Sequence, residues 1–372
     1  MMLRPVAGAV FAFAAAIVSL PIAEARAVET VRIHVGDADG REVEIRGAGL
    51  AFGLDVDEDG HFTPVAKELA RVRLERGRLL VEGAVWPEPQ VRFQTAEEGA
   101  PIRALSHEVR GDVVVRVHRD KLQVINVVSL EDYLAAVLGS EMPRSFPEEA
   151  LKAQAVAART YALHKKLEAY GQPFHLGSSV LHQVYGGVAR EDPRTKAAVE
   201  ATRGEVLTWE LQPIEAYFHA SCGGRTEEGL HALGRDLPYL PAVSCPCASL
   251  PQSRWEATVP LSELSRAFGG KKVHELQIQG RTRTGRVSRV ATEGGRSVDG
   301  VAFRARVGYG RIRSLHFEVK PKGRDALHFS GRGFGHGAGL CQWGAKALAD
   351  GGSGYTQILG HYYPGTELQT LY

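Results

Sequence analysis

Gly139-Ser140-Glu141-Met142-Pro143 decides how this chain is read. One carboxylate stands where one helical stretch stops and before the next begins. Upstream, Asn126-Val127-Val128-Ser129-Leu130-Glu131-Asp132-Tyr133-Leu134 carries a helix start. Ser129 can cap it, with Asp132 three residues on as an acidic variant of the capping box. Leu130, Leu134, Val137 and Leu138 make one apolar stripe, and Gly139 and Pro143 are expected to end the helix. Downstream, Ser145 is read as the cap of a second helix, with Glu148 as its partner. Ala150, Ala153, Ala155, Ala157, Ala158 and Ala162 let that helix pack close to another backbone. Gln154 and Tyr161, seven residues apart, share a face. Glu131, Asp132, Glu148 and Glu149 suit the positive ends of helix dipoles. Glu141 differs from them. A carboxyl at a helix end among apolar neighbours is how a general acid obtains a raised pKa. The bland alternative is a solvated helix-end charge.

The N-terminal residues read as an address. Arg4 gives a short positive region, Val6 to Leu20 is an apolar run, and Ala25-Arg26-Ala27 is a small-x-small cleavage site. The run is too short to span a bilayer comfortably. Residues 1–27 are therefore expected to be a cleaved signal peptide, leaving a mature chain without a membrane anchor, in the periplasm or cell wall. Some 45 Lys and Arg against 43 Asp and Glu give a formal charge of +2. That balance leaves no electrostatic footprint for nucleic acid.

Residues 28–123 read as a β-rich N-terminal lobe. Val31-Arg32-Ile33-His34-Val35 alternates, as do Arg71-Val72-Arg73-Leu74 and Val113-Val114-Val115-Arg116-Val117, with Gly, Asp and Pro between the runs. Residues 124–372 mix helices and strands. Residues 254–318 alternate strand-like segments with a short helix near Leu261–Phe268. The fold class is α+β.

The four cysteines are Cys222, Cys245, Cys247 and Cys341. Two disulfides are the expectation in an oxidising compartment. Cys245 and Cys247 are poor partners for each other across the stiff Pro246, so each would pair with Cys222 or Cys341. The alternative is a structural zinc site, since four thiolates can close a tetrahedron. No metal is assigned and no cofactor is required by this reading.

Gly331-Arg332-Gly333-Phe334-Gly335-His336-Gly337-Ala338-Gly339 has glycine at every second position. It matches neither a phosphate-binding loop nor a dinucleotide fingerprint. Such spacing lets a backbone approach a ligand or another strand closely. His336 within it and Gln342 after it favour a cleft wall that can hydrogen-bond a polar ligand. His219-Ala220-Ser221-Cys222-Gly223-Gly224 is a further polar turn, and Gln183-Val184-Tyr185-Gly186-Gly187 another. Ser221 lacks the Gly-x-Ser-x-Gly elbow of a serine hydrolase. None of the 14 histidines sits in a His-Glu-x-x-His zinc motif.

Together these segments resemble the SpoIID/LytB family, the stage II sporulation D and amidase-enhancer proteins. The carriers are Glu141-Met142-Pro143, Ala153–Tyr161, Gln183–Gly187, Ser221–Glu227, Gly333-Phe334-Gly335-His336-Gly337 to Ala345, and His361-Tyr362-Tyr363-Pro364-Gly365. The resemblance implies a SpoIID-like α+β catalytic region acting on peptidoglycan glycan strands, preferably peptide-free. It implies a lytic transglycosylase that cuts between MurNAc and GlcNAc and leaves a 1,6-anhydro end, with Glu141 as the catalytic acid. Gln154, Arg159, Tyr185, Ser221, His336 and Gln342 are then candidates for glycan binding. The rival implication is a non-catalytic enhancer that binds glycan and stimulates a cell-wall amidase. Some sporulation members carry a zinc site of cysteine and histidine just before the Gln-Val-Tyr segment. Here His175-Leu176-Gly177-Ser178-Ser179-Val180-Leu181-His182 holds no cysteine, so that site is not expected.

Overall fold

Strand Thr30–Asp37 buries Val31, Ile33 and Val35 on one face, the period of two that its sequence carries. It pairs antiparallel with Lys121–Ser129, which pairs with Asp112–His118, which pairs in turn with Gln90–Thr95. Leu50–Gly53 and Thr63–Pro64 complete one edge, and Leu176–Gly177 lies parallel at the other, giving seven strands. A second sheet of six strands contains Glu42–Arg46 and Leu69–Glu75. Its buried Val43, Ile45, Val72 and Leu74 join the same core as the first sheet. The computed structural model describes residues 29–55, 61–97, 99–178, 183–270 and 272–372. The expected signal peptide lies outside them.

Strand Lys121–Ser129 is buried along nearly its whole length and crosses the boundary expected between residues 123 and 124. It runs directly into helix α1, Leu130–Glu141, so the sheets and the helices share one core. Ser129 caps α1 as expected, its Oγ accepting from the Asp132 N–H at 3.1 Å. The helix continues through Gly139 and stops at Met142, whose backbone turns extended. Helix α2, Glu148–Glu168, follows. Its cap is Pro147, which makes no side-chain cap bond, rather than the expected Ser145, which stands two residues further out. The fixed φ of proline orients the entry to this helix without a hydroxyl. The alanines of α2 are fully buried, as close helix packing requires.

Glu131 and Arg159 hold α1 to α2. Arg159 is completely buried and meets the Glu131 carboxylate with both Nε and Nη2, at 2.9 and 2.7 Å. Its remaining N–H groups reach Val199 O, Glu205 O and Thr202 Oγ1. Glu131 also accepts from the Tyr372 hydroxyl at 2.6 Å. It sits in the first turn of α1 as expected, and it is also the buried partner of an arginine. Strand Glu205–Trp209 lies alongside and pairs with the C-terminal Glu367–Thr370.

Residues 255–329 build a second core around Trp255, Phe303, Phe317 and Phe329, with Phe317 and Phe329 edge to face at 5.4 Å. Two small sheets and the helices Leu261–Ala267 and Gly300–Val307 surround it. Among the described residues no helix is long and apolar enough to cross a membrane.

Removing one partner of a buried, fully bonded ion pair strands the other. Arg159→Ala should therefore lower the unfolding free energy by about 3–5 kcal/mol. Urea titration checks this, and a loss below about 1 kcal/mol, the worth of an exposed pair, would mean that the pair does not hold the helices.

Candidate active site

Glu141 closes the last turn of α1 and is half-buried. Its Oε1 accepts the backbone N–H of Val184 at 2.9 Å. The neighbours of Val184 hold that N–H in place. Gln183 is fully buried, donating to Ala158 O on α2 and accepting from Tyr133 on α1. Tyr185 donates to Asn126 Oδ1 at 2.8 Å. Burial raises the Glu141 pKa above the ordinary 4.5, and the Val184 N–H and the nearby Gln342 amide hold back part of the rise. Gln342 opens helix Gln342–Asp350, and its Nε2 is buried without a full hydrogen bond to any protein group.

Glu141 lies at the wall of a cleft of about 660 Å³. Tyr161, Tyr217, Phe218 and Phe334 supply aromatic surface, and Val301, Arg304, Tyr309 and Leu315 come from the segment that builds the second core. Among the described residues lining it, Glu141 is the only carboxylate.

Two histidines complete the wall, with ring centres 5.3 Å apart. His336 Nδ1 accepts from the Ala338 N–H at 3.2 Å, so its Nε2 carries the proton and donates to Phe218 O at 2.8 Å. Burial pushes its pKa down to about 4. His219 Nδ1 donates to Ala338 O at 3.1 Å, which leaves Nε2 as a bare acceptor with no protein partner. Burial also pushes His219 well below its usual range, so both rings are neutral near pH 7. Gly335 lets them meet: its φ is +122°, and a Cβ there would lie 2.5 Å from His219 Cβ. The close approach expected of the alternating glycines is thus to another segment of the chain.

The model of the family described as Stage II sporulation protein matches residues 118–209. A protein of Brachyspira hyodysenteriae described as uncharacterized is 33% identical over 267 residues, covering 70% of this chain and 72% of its own. Stage II sporulation protein D of Bacillus subtilis is 31% identical over 282 residues, covering 69% of this chain and 79% of its own. The chain belongs to the SpoIID/LytB family. The amidase enhancer of Bacillus subtilis is 30% identical over 294 residues, 63% of this chain and 40% of its own.

Within this SpoIID/LytB chain, the candidate glycan-binding residues divide. His336 lines the cleft and Gln342 faces Glu141. Four others do not line it. Arg159 spends every donor on the ion pair and carbonyls described above. Tyr185 is buried, with its hydroxyl on Asn126. Ser221 is buried between Ser253 Oγ, at 2.8 Å, and Cys247 Sγ, at 3.6 Å. Gln154 is buried in α2 with both amide atoms unpartnered in the protein. The sequence reading passed over His219 in favour of its neighbour Ser221; what singles out His219, its burial and its one bare nitrogen, is set by residues far along the chain. The cysteine–histidine zinc site of some sporulation members does not fit here. The span holds no cysteine, and His175 Nδ1 accepts the Arg32 N–H at 3.1 Å. No S–S bond joins Cys222, Cys245, Cys247 and Cys341 in this structure.

The raised pKa of Glu141 has a thermodynamic signature. The folded chain holds this proton to higher pH than the unfolded chain. The resulting stabilisation is full below pH 4.5 and is lost as pH rises through the folded value. Glu141→Gln, always neutral, should gain stability relative to wild type as pH rises from 4.5 toward neutrality. Calorimetry of both proteins across that range checks it; a Tm difference independent of pH would mark an ordinary surface acid.

Proposed function

We propose that this protein acts outside the cytoplasm on the bacterial cell wall, cutting peptidoglycan glycan strands between MurNAc and GlcNAc and leaving 1,6-anhydro-MurNAc ends. The observation that carries this reading is that Glu141 is the lone carboxylate among the described residues lining the cleft. Glycosidases that use water generally need two carboxylates, one acid and one base or nucleophile. A lytic transglycosylase uses the sugar's own 6-hydroxyl as nucleophile, so one carboxyl can serve both halves of the reaction. Protonated Glu141 donates to the departing glycosidic oxygen. The resulting carboxylate then accepts the proton of the 6-hydroxyl as that oxygen closes on the anomeric carbon. A raised pKa keeps the acid protonated closer to neutral pH, as the first step demands.

The rest of the cleft suits a sugar chain. Its volume lies in the range of ligand sites, and aromatic side chains offer faces to pyranose rings. His219 Nε2 and the Gln342 amide would hydrogen-bond sugar hydroxyls or acetamido groups. Names among the relatives support a wall-directed role, and the sequence of residues 1–27 supports export. The preferred substrate is peptide-free glycan.

A second reading rests on the match to the amidase enhancer: the chain binds glycan without cutting it and stimulates a cell-wall amidase. One experiment separates the two. The mature protein and Glu141→Gln are incubated with peptide-free glycan strands, and products are read by mass spectrometry. The transglycosylase reading expects anhydro ends from wild type and a rate lower by about 10²–10⁴ for the variant. Intact glycan from wild type would favour the enhancer.

A further inference from the structure

Cysteines from three separated segments meet at one point. Cys222 follows strand Phe218–His219, Cys245 and Cys247 flank Pro246, and Cys341 caps helix Gln342–Asp350. All four are buried and unbonded, and their sulfurs lie within 4.8 Å of one another. The Cys222 and Cys247 sulfurs are 3.4 Å apart. Two disulfides would sort four sulfurs into two bonded pairs. These four converge instead, and four sulfurs about 2.3 Å from a central zinc ion stand about 3.8 Å from one another.

The surroundings are those of sulfurs that accept. Cys341 Sγ receives the backbone N–H groups of Cys222 and Gly344, each at 3.3 Å. Ser221 Oγ lies 3.6 Å from Cys247 Sγ, and the Tyr362 hydroxyl lies 3.2 Å from Cys245 Sγ. Donors of this kind orient and stabilise metal-bound thiolates. The buried Arg286 guanidinium sits beside the cluster, donating to Cys222 O at 2.8 Å, and supplies positive charge next to a site that would carry excess negative charge. Space is reserved as well: a Cβ on Gly344 would fall 2.3 Å from Cys245 Sγ.

We propose that Cys222, Cys245, Cys247 and Cys341 bind one zinc ion as a closed structural tetrathiolate site. Binding converts four thiols to thiolates and releases their protons to solvent. With four protein ligands the ion has no open position, so it acts as a clamp and takes no part in chemistry. The clamp joins the loop after His219, which lines the cleft, to the helix whose Gln342 faces Glu141.

The test uses the full mature chain. Metal analysis of the purified protein should find about one zinc per chain, with all four thiols reactive once the protein is unfolded in chelator without reductant. Refolding the reduced, metal-free chain with cobalt(II) alone should give thiolate-to-metal charge-transfer bands and the strong visible bands of a tetrahedral ion. This arm needs no variant. Cys247→Ser should weaken zinc in chelator competition by more than the about 10–100-fold that losing an outer hydrogen-bond partner costs. A metal-free protein whose thiols appear only after reduction would overturn the proposal in favour of disulfides. So would a reduced chain that refolds in zinc or cobalt and binds neither, or a Cys247→Ser variant of unchanged affinity. None of these readouts depends on glycan cleavage, so the proposal fails or stands apart from the catalytic one.

Discussion

The buried pair of Glu131 and Arg159 is the constraint on which the rest of the structure depends. A charged pair taken almost wholly out of water persists only where its donors and acceptors are met. Here the guanidinium is met by Glu131, Thr202 and two carbonyls, and the carboxylate by Arg159 and Tyr372. One interaction therefore ties together α1, α2, the segment from 199 to 205 and the C-terminal residue. Its relevance to the candidate site is mechanical. Glu131 stands at the start of α1 and Glu141 at its end, so fixing the first turn fixes where the last one delivers its carboxyl.

The site sets one carboxyl among neutral histidines and an amide, with the Arg304 guanidinium also in the cleft lining. His219 and His336 are held neutral by burial, and each uses a nitrogen on Ala338. Gln342 brings an amide rather than a charge. In such surroundings the Glu141 proton is governed by desolvation, offset by the Val184 N–H and by Gln342. A second carboxylate would make both pKa values depend on each other; its absence from the described lining leaves one acid to do both proton transfers in the proposed reaction.

Much of the scaffold was legible from local pattern. The period-two strands, the Ser129 cap, the alanine-packed α2 and the close approach at Gly335 all follow from rules that act within a few residues. Glu141 was legible because helix signals bracket it. What failed were distinctions made at long range. Arg159, Tyr185 and Ser221 are polar residues in distinctive runs, which is what a ligand site looks like in one dimension. They satisfy buried partners instead, and those partners lie 28 to 59 residues away in sequence. Pro147 rather than Ser145 starts α2 because Arg144 and Ser145 are spent in a turn that the Phe146 N–H closes onto Pro143 O. Residues 254–318 were read as strand-like segments with a short helix near Leu261–Phe268, which is present, but not as one core, since its cohesion comes from aromatics that meet only after folding. The cysteine cluster is the same lesson: spacing alone allowed pairs or a tetrahedron, and only three dimensions show the sulfurs converging.

The most direct test of a one-carboxylate site is to cleave glycan in water enriched in oxygen-18. Intramolecular attack by the 6-hydroxyl takes no oxygen from solvent. Every new MurNAc end should then be anhydro and free of label. Labelled reducing ends formed at the same rate as cleavage would mean that water, and not the 6-hydroxyl, is the nucleophile.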